Sequence, residues 1–79
     1  MDREYIEERI AKIKARIEIY EDALSVIASG VFSYTIDTGQ GRQTVTRQSV
    51  GQMESALNTL YNDLDVFYAR LNGGSIVAN

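Results

Sequence analysis

The chain contains no cysteine, no histidine, no proline and no tryptophan in 79 residues. Without cysteine there is neither a disulfide framework nor a thiolate metal site. Without histidine the commonest general base, the usual zinc ligand and the side chain that titrates near neutrality are all gone. No apolar run approaches the ~20 residues of a membrane span, and Met1-Asp2-Arg3-Glu4 lacks the basic-then-apolar layout of a secretory signal. Acidic residues outnumber basic ones, 11 to 8, which argues against a dedicated nucleic-acid binder needing a basic surface for phosphates. The expectation is a soluble chain made in a reducing cytoplasm, with no membrane contact, no cofactor and no small-molecule substrate.

What is present is periodicity. Apolar side chains recur at Ile6, Ile10, Ile13, Ile17, Tyr20, Leu24 and Ile27, spaced alternately by four and three. That heptad seam predicts a first helix of roughly 27 residues. Asp2 stands where a cap belongs, and Ser29-Gly30 supplies the stop. A second seam runs through Val50, Met53, Leu57, Leu60, Leu64, Phe67 and Leu71 and ends at Asn72-Gly73-Gly74. Two phrases compete to start this helix. Ser49-Val50-Gly51-Gln52 fits a capping box, and Thr46 lies three residues earlier.

Between the helices the period changes to that of a strand. Phe32-Ser33-Tyr34-Thr35-Ile36 alternates apolar and small polar side chains, and Arg42-Gln43-Thr44-Val45-Thr46 is rich in β-branched residues. The glycines of Asp37-Thr38-Gly39-Gln40-Gly41 can take the positive φ of a tight reversal, so the segment reads as a β-hairpin. The predicted class is α+β and mostly α: an antiparallel two-helix hairpin with a β-hairpin between the helices, in the order α-β-β-α. Residues 1–74 form the single domain and 75–79 a flexible tail. The two seams mirror each other about the hairpin. Folding back sets Ile27 beside Val50, Leu24 beside Met53, Tyr20 beside Leu57, Ile17 beside Leu60, Ile13 beside Leu64, Ile10 beside Phe67 and Ile6 beside Leu71. The flanks are less regular, with Arg16 level with Asp63 but Arg9 level with Arg70 and Glu21 with Glu54.

So small a chain buries limited surface, and a two-helix contact covers only one side of each seam residue. Partner subunits are the remaining aid. Ile19 and Val26 make a second apolar stripe on the first helix; Tyr61 and Tyr68 stand a heptad apart on the second, with Val66 on another flank. These residues either underlie the β-hairpin or face neighbouring chains. Arg42 and Arg47 stand in an acid-free run from Thr38 to Gln48, a composition suited to docking on protein and, less well, to nucleic-acid contact. Ile76 and Val77 give the tail an apolar patch able to order on binding.

Catalytic candidates are absent. The carboxylates Glu4, Glu7, Glu8, Glu18, Glu21 and Asp22 have nothing converging on them and read as a solvated face. Arg9, Lys12, Lys14 and Arg16 form a basic band that Glu8 can support from one turn away. Gly39-Gln40-Gly41 lacks the lysine and strand-to-helix setting of a phosphate loop. No nucleophile, base and orienter can be assembled from this inventory, so no enzyme is expected.

A first helix, a polar-tipped hairpin and a second helix led by Thr46-Arg47-Gln48-Ser49-Val50 together resemble the gpW-like head-tail joining proteins of tailed bacteriophages, over residues 3 to 72. The resemblance implies a non-catalytic virion protein at the head-tail junction. Several copies would form a ring next to the portal, help retain packaged DNA and provide the tail-attachment platform. The partners implied are other copies of the chain and portal, neck, tail or capsid proteins. Longer seams and an acidic balance depart from the family pattern and leave another neck or capsid-decorating role open. The competing reading is a small coiled-coil regulatory or inhibitor protein that binds a partner through its hairpin.

Overall fold

A computed structural model describes residues 2–39 and 41–72. Helix α1 spans Arg3–Ala28, strands β1 and β2 span Ser33–Asp37 and Arg42–Thr46, and helix α2 spans Val50–Leu71 after a single 3₁₀ turn, Arg47–Ser49. The order is α-β-β-α, with one two-stranded antiparallel sheet. No helix among the described residues is long and apolar enough to cross a membrane.

With no proline to interrupt it, α1 runs to Ala28 and its cap Ser29, and Gly30, at a φ of 110°, turns the chain out of the helix. Asp2 is extended and its carbonyl accepts the Ile6 amide at 3.1 Å, yet its carboxylate makes no cap bond. The hairpin closes at Thr38, whose N–H donates to the Gly41 carbonyl at 3.0 Å. The Asp37 carboxylate accepts the Gly39 N–H at 2.9 Å, holding that glycine at a φ of 86°. On the outer sheet face the hydroxyls of Thr35 and Thr44 meet at 3.4 Å.

The start of the second helical segment differs from one of the two expected phrases. Ser49 already has helical backbone angles, so it does not cap with Gln52; Thr46 is extended and caps the 3₁₀ turn that runs straight into α2. The Thr46 N–H donates to Ser49 Oγ at 3.3 Å, and the two hydroxyls lie 3.2 Å apart. The Thr-x-x-Ser phrase is therefore a capping box placed one turn earlier.

The helices lie side by side through their seams. Ile6, Ile10, Ile13, Ile17, Ile27, Met53 and Leu57 are buried, and Tyr20, Leu24, Val50, Leu60, Leu64, Phe67 and Leu71 are half-buried. Ile13, Ile17 and Leu57 form one cluster with Tyr20, Leu24, Leu60, Leu64 and Phe67 against them. The hairpin turns back over the α1 side of this pair. Ile36 and Val45 point inward onto Ala23, Ile27 and Met53 to make a second cluster, in which Ala23 and Val45 are fully buried. Its tip, Thr38 and Gly39, reaches the level of Ala15, Arg16 and Ile19. Thus one half of the molecule has three layers of side chains, and the half carrying the N-terminus of α1 has only the two helices.

Candidate docking surface

Chemistry is sparse on this fold. Among the described residues no group of acidic side chains is arranged to hold a metal, and no polar or charged residue is buried.

Among the described residues the most exposed large apolar side chain is Phe32, at 83%. Val31 beside it is 41% exposed and Tyr34, two residues on, 38%. The ladder explains why. Pairing begins at Ser33 with Thr46, and Thr46 is committed as the helix cap. No β2 residue remains to pair with position 32, so Phe32 stands in the crossover between Gly30 and β1, outside the sheet. The buried face expected of Phe32, Tyr34 and Ile36 shrinks to Ile36 on this strand, with Val45 across from Tyr34. At the same end of the molecule, Leu24, Ile27, Ala28 and Val50 floor a shallow pocket rimmed by Arg47 and Glu54. An apolar cluster of this kind, bordered by polar groups, is a surface suited to a partner.

The other residues proposed for contact divide. Ile19 is half-buried and packs on the cluster beneath the hairpin, so the chain's own core uses it. Val26 is half-buried and Val66 is 50% exposed. Tyr61 and Tyr68 are engaged within the chain. The Tyr61 hydroxyl donates to the Glu21 carboxylate, and Lys14 Nζ sits 5.5 Å from the centre of the Tyr68 ring. Lys14 and Glu21 are one heptad apart, as are Tyr61 and Tyr68. Helical periodicity puts the α1 members opposite Arg16, Ile19 and Ala23, on the face away from the hairpin. The hydrogen bond to Glu21, with partial desolvation and the carboxylate's charge, holds the Tyr61 phenol above its ordinary value of 10.0. Glu21 and Glu54, expected as a like-charge pair, thus give way to a tyrosine–carboxylate contact.

Arg42 and Arg47 are both exposed but do not act together. Arg42 pairs in register with Asp37 near the hairpin tip, and Arg47 lies at its base, a strand of about 17 Å away at ~3.3 Å per residue. Arg16 and Asp63 line one groove without ion-pair contact; the ion pair among the described residues is Arg3 Nε to Glu7 at 3.3 Å. Glu8 makes no ion pair with Lys12, and Arg70 stacks over Phe67 at 5.9 Å. Ile76 and Val77 lie outside the described residues.

The fold defines a class, a small helix–hairpin–helix module with an exposed apolar cluster at the hairpin base. Comparison of the chain with protein-family models, curated proteins and solved structures gives no match.

Proposed function

We propose that this chain is a structural connector of tailed-phage virions, a head-tail joining component that assembles as a ring beside the portal, helps retain packaged DNA and supports tail attachment. The observation that carries the reading is Phe32, presented to solvent at 83% with Val31 and Tyr34 around it. Exposed apolar residues grouped in one patch rather than scattered singly are the surface that association with another protein uses. Two further features support the reading. The α-β-β-α order is that of the family resemblance, and its Thr46-x-x-Ser49 phrase has a physical task as the cap of the second helical segment.

In this role the seams hold the protomer, the hairpin base with Phe32 and Arg47 meets the neighbouring virion protein, and Val66 with the outer sheet face remains for other copies. The test is genetic complementation in a phage that carries the gene. With the gene disrupted, tailless heads that lose their packaged DNA should accumulate, and purified wild-type chain added before that loss should restore tailed particles in an extract. Phe32→Ser protein should fail to restore them while keeping its helicity. Tailed, infectious particles without the gene would overturn the proposal, and would turn attention to a regulator that binds through its hairpin.

A further inference from the structure

Helix α1 carries its charge in blocks. Asp2, Glu4, Glu7 and Glu8 open the segment with Arg3 as the only cation; Arg9, Lys12, Lys14 and Arg16 follow without an acid. Within these blocks Glu4, Glu8, Lys12 and Arg16 are spaced by four, and residues so spaced form one gently inclined ridge on a helix. The ridge is antisymmetric in charge about its midpoint. A second copy of α1 laid antiparallel sets Glu4 against Arg16 and Glu8 against Lys12, and does so twice by symmetry. None of the four has an ion-pair partner within the chain among the described residues.

The structure also leaves room for that copy. Glu4 and Glu8, the first half of the ridge, are exposed, and the described tip residues Thr38 and Gly39 share a groove with Lys12 and Arg16, the second half. Tyr5 lies on the same side of the helix and is 46% exposed. In the antiparallel alignment Tyr5 falls level with Ala15 of the other copy. There a groove of about 440 Å³ is bounded by the hairpin tip and floored in part by Ile13, Ala15 and Ile19. A tyrosine, apolar in its ring and polar at its tip, suits a groove with an apolar floor and a polar rim of Arg9, Lys12, Arg16 and Asp63.

We propose that the chain self-associates as a two-fold dimer through α1, ridge against ridge, with Tyr5 of each copy seated beneath the hairpin tip of the other. An isologous contact is the form that a self-complementary surface produces. The inference rests on charge order and exposure alone and is independent of the virion reading. It also leaves Phe32, at the opposite end, open to a different protein.

Sedimentation equilibrium of the full chain tests it, with circular dichroism confirming that each variant keeps its helices. Wild type should show a concentration-dependent dimer. Glu4→Lys/Glu8→Lys makes the ridge wholly cationic and Lys12→Glu/Arg16→Glu makes it wholly anionic. Each double variant should self-associate about tenfold more weakly or worse. An equal mixture of the two should form a heterodimer at least as tight as the wild-type pair, and Tyr5→Ala should weaken the wild-type dimer. A chain monomeric at every concentration would overturn the proposal. So would double variants that dimerise like wild type, or a mixture that stays monomeric. Binding of duplex DNA through Lys12 and Arg16 by a chain that remains monomeric would overturn it too, and would assign the basic groove to phosphates instead.

Discussion

The two ends of this molecule use the same helices and reach different degrees of burial. Where the hairpin lies over the helix pair, Ala23 and Val45 are at 0% exposure and Met53 at 2%. Every seam rung at both ends pairs one buried with one half-buried residue, so the difference lies off the seam. The covered end adds Ala23, Ile36 and Val45 as a second buried cluster, and beyond the hairpin tip Ile6 and Ile10 face Leu71 and Phe67 with no such layer among the described residues. The heptad spacing is equally regular at both ends, so spacing is not the cause. Two helices cover one side of each other's seam, and a third layer is needed to close it. The hairpin is that layer for half of the molecule.

The sharpest way to break this contrast is to truncate one seam residue at each end. Met53→Ala removes a side chain from a closed cluster and should cost about 3 kcal/mol, within the ~2–5 kcal/mol typical of such changes. Leu64→Ala, at a site that is already half solvated, should cost about 1–1.5 kcal/mol, because less transfer free energy is lost and water can enter the gap. Urea unfolding of both variants checks the order. Equal losses would mean that the open end is as tightly closed as the covered end.

A substitution at the junction of hairpin and helix is next in size. Thr46→Ala removes the extended residue that ends β2 and caps the helical segment, and should cost about 1 kcal/mol. Ser49→Ala should cost a similar amount, since it deletes the acceptor of the Thr46 N–H, and the double variant should cost less than the sum because both act through one box. Gln52→Ala should be close to neutral, which separates the observed cap from the Ser49–Gln52 alternative.

The helices, the hairpin and their order were legible because each element carries its own period, and because two seams mirrored about one midpoint admit a fold-back. The side on which the hairpin would lie was not legible. Periodicity tells which residues share a face, and here three faces of α1 carry apolar residues. Ala23 is fully buried under the hairpin, but a single alanine gives little hydrophobic signal; its smallness is what lets the sheet approach. Ile19 was visible as a stripe with two uses, and the structure gives it the inner one. The engagement of Tyr61 and Tyr68 had a readable sign, since Glu21 and Lys14 repeat at the same seven-residue interval. Phe32 was hidden by its own neighbourhood. It continues the alternation of β1, and only when Thr46 is recognised as a cap does position 32 lose its pairing partner.

Phe32→Ser isolates the docking face from the fold. At 83% exposure the ring contributes little to the chain's own packing, so unfolding free energy should change by less than about 0.5 kcal/mol. Recruitment to a partner should fall far more. A stability loss as large as that of Met53→Ala would show that Phe32 belongs to the covered core.

The smallest effect tests the face that the hairpin leaves bare. Tyr61 and Glu21 join the helices there, and the bond raises the tyrosine's pKa above 10.0. A raised folded-state value means that folding favours the protonated phenol. Its contribution is complete below the unfolded value, near pH 10, and is lost as pH climbs through the folded value. The difference in ultraviolet titration between wild type and Tyr61→Phe isolates this group and should have its midpoint above 10.0. In a Glu21→Gln background the midpoint should fall, because the amide still accepts the hydroxyl proton but no longer carries a charge that opposes phenolate. An unchanged midpoint would mean that Glu21 does not set it, and that the helices on this face are held by their seams alone.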